Sequence, residues 1–123
     1  MRVLVVDDNA LVAEGTAAVL TAGGHLAEVA ASAEAALARH RPGAWDLVLT
    51  DLRLPGMDGW ALLDRLRALE PGLPAGVLTG WPPLPGEPGP AERGAFCLLT
   101  KPVDPASLLR EVGRAERVTA ADG

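Results

Sequence analysis

The chain has 123 residues, 49% of them hydrophobic, which suits one domain with a sizeable core and is too apolar for a disordered segment. A net charge of −5, no basic stripe and no tyrosine exclude nucleic acid as the direct partner. The single cysteine, Cys97, excludes a disulfide framework within the chain and zinc-cluster spacing; with no apolar run near 18 residues and no signal-peptide pattern, a cytoplasmic protein without a membrane partner is expected.

Apolar runs and helical periods alternate from the start. The continuous run "RVLVV" (2–6) predicts a strand covered on both faces. Residues 10–22 then place Leu11, Gly15, Ala18, Val19 and Ala22 at helical spacing, and Gly23-Gly24 ends that helix. "HLAEVA" (25–30) is a short, partly polar strand suited to a sheet edge. Ser32 caps an alanine-rich helix that ends before Pro42. "DLVLT" (46–50) is the third strand; residues 58–70 put Leu62, Leu63, Leu66 and Leu69 on one helical face, and Pro71-Gly72 stops it. Strands follow at 75–79 and 95–99. Asp104 then reads as an N-cap with Pro105 at the first helical position, and Leu108, Leu109, Val112 and Ala115 form the last apolar face.

Between the last two strands, "WPPLPGEPGPAERG" (81–94) stands where an alternating chain needs a helix. Five prolines, at 82, 83, 85, 88 and 90, lack the N–H donor and clash with the preceding turn, so most of it cannot be helical. The expected form is an ordered loop with one helical turn near Ala91–Arg93. A docking segment displaying "PPLP" is a second reading, and a helix formed only on a partner, which the prolines oppose, a third.

Five β/α units, the fourth helix missing or reduced to a turn, predict an α/β fold: a doubly wound parallel sheet of flavodoxin-like strand order 2-1-3-4-5. The domain is expected over residues 1–118, with 119–123 as a short tail. In that order ligands bind beyond the carboxyl ends of strands 1 and 3, where Asp7, Asp8 and Asp51 fall. Three carboxylates there repel unless a cation sits among them, and oxygen-only ligands with room for water favour Mg²⁺. Taken singly, each acid is as well explained by a solvated turn. Thr79 ends strand 4, and Lys101 follows strand 5 at the same edge. A divalent ion, an ammonium and a hydroxyl converging on one carboxylate are the parts for phosphoryl transfer to that carboxylate. One at a time, they are a strand threonine and a surface lysine.

"VLVVDDNA", "DLVLTDLRLPGMDG", "VLTG" and "LLTKP", in that order and spacing, resemble the receiver domain of two-component response regulators, from Arg2 to about Arg114. The resemblance implies that Asp51 is the phosphoacceptor for a histidine kinase, separate or in the same parent polypeptide. It implies Mg²⁺ held by Asp8, Asp51 and the backbone carbonyl of Arg53, with Asp7 acting through a metal-bound water. Thr79 and Lys101 would each contact a phosphoryl oxygen, and the Lys101–Pro102 bond would be cis. Arg53 and Trp81, two positions past the phosphoacceptor and the threonine, match positions flanking water's approach and are expected to lengthen the phosphoryl group's lifetime.

Two features depart from the family pattern. Its strand-5 aromatic, three positions before the lysine, is Leu98 here, with Phe96 expected two residues back on the same strand face. The helix of the usual output face is the proline-rich segment. The expectation is therefore phosphoacceptor chemistry with an atypical output face, an unidentified downstream protein, no effector domain in this chain, and no enzyme activity beyond self-catalysed gain and loss of phosphate. A phosphorylation-independent scaffold is the alternative. An aspartyl-phosphate phosphatase fails at its own motif, because Asp7 is followed two residues on by Asn9 rather than an acid. Elsewhere, Cys97 reads as a buried small hydrophobe, His25 and His40 as surface residues, and Trp45 and Trp60 as covers of the core edge.

Overall fold

The computed structural model describes residues 1–80 and 84–122, the last five by backbone alone. Five strands, β1 (Arg2–Val6), β2 (Leu26–Ala30), β3 (Leu47–Asp51), β4 (Ala75–Thr79) and β5 (Cys97–Thr100), form one parallel sheet in the order β2-β1-β3-β4-β5. Among the described residues the helices are α1 (Ala10–Ala22), α2 (Ala33–Arg39), α3 (Gly59–Leu69) and α4 (Pro105–Asp122). This is the doubly wound order expected from the sequence, with no helix between β4 and β5 in the described part of that crossover.

Side chains alternate across the strands and build a core on each face. Leu4, Val6, Val48 and Val77 pack with Ala33 and Ala36 of α2 and Leu62, Leu63 and Leu66 of α3. On the other face, Val3, Val5, Leu49 and Leu78 pack with Ala13 and Leu20 of α1 and Leu108 and Val112 of α4. Coverage on both sides is why the inner strands read as unbroken apolar runs, whereas edge strand β2 leaves Leu26 exposed. Each helix starts where a short polar side chain accepts a backbone N–H: Asn9 from Val12, Ser32 from Ala35, Asp58 from Ala61 and Asp104 from Ser107. Such caps are worth about 1 kcal/mol each.

Several sequence expectations are corrected. The buried residues of α1 are Ala13, Thr16 and Leu20, not the face of Leu11, Gly15, Ala18, Val19 and Ala22, and Leu11 is 81% exposed. Apart from Glu14 this helix carries no charge, so its period does not single out a face; close approach to the sheet selects the side bearing small Ala13. In α3, Leu69 is exposed, and Leu73, beyond the Pro71-Gly72 turn, fills the core instead. His40 is partly buried and its side chain only 3% exposed, with Nε2 3.5 Å from Glu70 Oε1 and neither ring nitrogen hydrogen-bonded. The turn after α2 folds it inward, and Glu70 also accepts the Gly43 N–H. His25 lies at the partly buried amino terminus, its Nδ1 3.1 Å from the Met1 nitrogen.

β5 begins at Cys97, because the chain bends at Phe96. Its ring therefore joins the α1/α4 side under the Arg114 guanidinium, 4.0 Å from the ring centre, while Leu98 packs on the α3 side. Phe96 and Leu98 are on opposite faces, not the same one. Cys97 is buried, which pushes its thiol up to about 11.

The crossover from β4 to β5 is held down by its backbone. The Arg93 N–H donates to the Gly89 and Pro90 carbonyls, giving one turn around Ala91–Arg93. Arg67 of α3 donates to the Gly94 carbonyl at 2.6 Å and to the Arg93 carbonyl, and the Arg93 guanidinium lies 4.6 Å from the centre of the Trp60 ring. Gly94 has φ +83°, a backbone conformation that favours glycine, and a Cβ there would meet only the flexible guanidinium end of Arg67.

Candidate functional site

Parallel pairing brings the acids together. β1 and β3 are neighbours through Val6 and Thr50, so Asp7 and Asp8, just past β1, emerge beside Asp51 at the end of β3. Asp7 is 2% exposed and anchored, its N–H donating to the Ala30 carbonyl and its Oδ1 accepting the Asn9 N–H at 2.9 Å. Asn9 thus serves the site and caps α1 at once. Asp8 is exposed. One oxygen from each of Asp7, Asp8 and Asp51 lies within 4.8 Å of the others, and among the described residues no other such group of potential metal ligands occurs.

Lys101 reaches the same point from β5. The β4–β5 ladder runs to Thr79 opposite Thr100, and the Lys101 N–H donates to the Thr79 carbonyl at 2.7 Å. The Lys101–Pro102 bond is cis. Lys101 Nζ donates to Asp7 Oδ2 at 2.6 Å and to Asp51 Oδ2 at 3.2 Å. Partial burial opposes its charge, but the bond to Asp7 and the charges of Asp7 and Asp51 outweigh this and hold the ammonium above the usual lysine range. Thr79 is buried at the end of β4, next to β3.

The arrangement leaves three acids against one lysine, an excess of negative charge that a hard cation offsets. The donors are all oxygen, which fits Mg²⁺ and not a thiolate- or imidazole-seeking metal. The Arg53 N–H donates to Asp51 Oδ1 at 3.2 Å, so the loop after β3 wraps back on the carboxylate. Asp7, Asp8, Asp51, Arg53 and Lys101 are therefore gathered at one edge, with Thr79 buried at the neighbouring strand end. Leu98 is partly buried against the α3-side core. Trp81 lies outside the described residues.

Thr50 was missed from the sequence, and Gly59, with Pro55 and Gly56, was read there only as part of the family's loop after the phosphoacceptor. The Thr50 hydroxyl donates to the Asp51 carbonyl at 2.9 Å, and Gly59 brings α3 so close that a Cβ there would run into that same carbonyl. The signals available were a hydroxyl inside the apolar run "LVLTD" and the glycine of "GMDG".

A five-stranded parallel sheet with acids and a lysine at its switch point defines a doubly wound α/β protein with a polar site at the strands' carboxyl ends. The chain belongs to the response regulator receiver domain family, whose model matches residues 3–113. It is 37% identical over 102 residues to a response regulator receiver protein of Anaeromyxobacter sp., covering 83% of this chain and 43% of that protein. It is 35% identical over 113 residues to the response regulator protein FleR of Pseudomonas aeruginosa, covering 92% of this chain and 24% of FleR. The chain thus spans less than half the length of these curated relatives. Among solved structures, the CheY-like receiver domain protein of Methanospirillum hungatei JF-1 superposes with a TM-score of 0.90 at 31% identity, covering 99% of this chain and 98% of that one. The non-phosphorylated HemR receiver domain of Leptospira biflexa gives 0.83 at 30% identity, covering 93% and 92%.

Proposed function

We propose that this receiver domain takes a phosphoryl group onto Asp51 from the phosphohistidine of a histidine kinase, in the cytoplasm and with Mg²⁺ as cofactor. The observation that carries the reading is the double contact of Lys101 Nζ with Asp7 and Asp51, inside a cluster of three carboxylates. Asp8, Asp51 and the backbone carbonyl of Arg53 would hold Mg²⁺, with Asp7 reaching it through water. When bound, the ion neutralises oxygens of the transferring phosphoryl group. The Lys101 ammonium pairs with another of those oxygens, and the Thr79 hydroxyl donates to a third. In the transfer, an Asp51 carboxylate oxygen bonds to phosphorus while the phosphorus–nitrogen bond of the phosphohistidine breaks. The electron pair stays on the imidazole ring, which takes its proton from solvent.

Beside the site, Leu11, Val12, Gly15, Val19, Pro102 and Val103 line an apolar groove that also includes Lys101. With Leu11 81% exposed, the groove suits the apolar face of the kinase helix that carries the donor histidine. Arg53 is exposed at the mouth of the site, where its side chain would hinder water and lengthen the acyl phosphate's life. The protein is a phosphoacceptor rather than an enzyme, and its downstream partner would meet an output face altered by the crossover.

A second reading, a scaffold that works without phosphorylation, draws support from Leu98 at the place of the family's aromatic and from the crossover that stands in for a helix. Incubation with acetyl phosphate and Mg²⁺ separates the two. The phosphoacceptor reading predicts the mass of one added phosphoryl group, mapped to Asp51 and lost in Asp51→Asn. No adduct from acetyl phosphate or from any kinase supports the scaffold.

A further inference from the structure

We propose that Thr50 is a positioning residue for Asp51: its buried hydroxyl sets the backbone that aims the phosphoacceptor carboxylate. The inference rests on the reading of Asp51 given above.

Thr50 is 0% exposed, and its ladder partners are Val6 on β1 and Val77 on β4. A valine has the same shape and suits such a place without the cost of taking a hydroxyl out of water. The hydroxyl is nevertheless there, and Oγ1 donates to the Asp51 carbonyl at 2.9 Å. That carbonyl shares a rigid plane with the Leu52 N–H, so the bond fixes the first peptide after the phosphoacceptor. The next peptide is fixed from the other side, where the Gly59 N–H donates to the Leu52 carbonyl at 2.9 Å. In the same plane lies the Arg53 N–H, which donates to Asp51 Oδ1 at 3.2 Å. The chain of restraints begins at the Asp51 carbonyl and returns to the Asp51 carboxylate. It leaves Oδ2 facing Lys101. Gly59 tightens the arrangement, because its missing Cβ lets α3 start against the same Asp51 carbonyl and the Leu52 Cα.

A hydroxyl that served only strand stability would be replaced by valine without consequence at the site. The positioning role predicts a split. In the full chain, Thr50→Val should unfold at the same or a higher temperature than wild type. Its Arg53 amide, followed by exchange in metal-free protein, should exchange about tenfold faster, and acetyl phosphate with Mg²⁺ should label Asp51 about tenfold more slowly. Thr50→Ser, which keeps the hydroxyl, should restore both towards wild type. A Thr50→Val protein with wild-type Arg53 exchange and labelling overturns the positioning role alone, and so does a Thr50→Ser protein that behaves like the valine variant. If wild type takes no phosphoryl group on Asp51, the reading of the site falls and this inference with it.

Discussion

The acidic edge and the β4–β5 crossover are held by opposite means. At the edge, side chains bond side chains: Lys101 bridges Asp7 and Asp51, and each comes from the end of a strand. In the crossover a long side chain from elsewhere holds the backbone, with Arg67 gripping the Arg93 and Gly94 carbonyls and Trp60 under the Arg93 guanidinium. The contrast teaches what the fold needs to keep its site. Lys101 is placed by the β4–β5 ladder and by its own N–H on the Thr79 carbonyl, not by the kind of segment that joins the two strands. The described part of this crossover has no helix, and β5 pairs with β4 up to Thr79 opposite Thr100 all the same.

The strongest way to break this comparison is a matched pair of glycine replacements. Gly59→Ala presses a methyl group onto the backbone of Asp51 and Leu52, where nothing flexible can yield. It should cost about 3 kcal/mol in urea unfolding and slow labelling of Asp51. Gly94→Ala meets only the flexible end of Arg67 but keeps a positive φ, so about 2 kcal/mol is expected, with labelling of Asp51 unchanged. If Gly94→Ala slows labelling as much as Gly59→Ala does, the two regions are not independent.

Arg67→Ala sharpens the same point more gently. It should cost about 1 kcal/mol and speed amide exchange in the crossover up to Ala95. Cys97 is the internal control. Its thiol sits against Gly76, with Glu111 and Arg114 of α4 the charges acting on it, and burial holds it up to about 11. Alkylation at mildly alkaline pH should therefore stay as slow in Arg67→Ala as in wild type; rapid modification would show that loosening the crossover opens β5 as well.

The smallest effect is expected at Asp46, before β3 at the edge of the sheet away from the site. The Arg2 N–H lowers its carboxyl below the ordinary value of 3.8, against the opposing effect of burial and helped by the Arg2 side chain. A lowered folded value means stabilisation that is full above 3.8 and lost as pH falls through the folded value. Asp46→Asn should thus lower Tm slightly at neutral pH, and its deficit should close on acidification. A deficit that persists in acid would assign the effect to packing instead of charge.

Much of this molecule was legible beforehand in particular residues. The prolines of 81–94 foretold a crossover without a full helix, and among the described residues it has none, since each proline removes a donor whatever surrounds it. Ser32 and Asp104 sit where helices begin, as read from the sequence, because capping involves only residues three apart. The acids of β1 and β3 were readable as neighbours because a parallel sheet of this order leaves them no other arrangement. His40 was not legible. Its side chain packs beside Glu70, distant in sequence, and no local pattern marks it.

By itself, then, the sequence determined the alternation of strands and helices, the doubly wound class and the strand ends that bear acids, because unbroken apolar runs, prolines and capping residues act over a few positions. Only the tertiary structure decided which side of α1 meets the sheet, that Phe96 turns away from Leu98, how Arg67 ties down the crossover and that Thr50 reaches the carbonyl of Asp51. Each of these is a choice among contacts that the local pattern leaves equally open, settled by close packing and by buried polar groups finding partners.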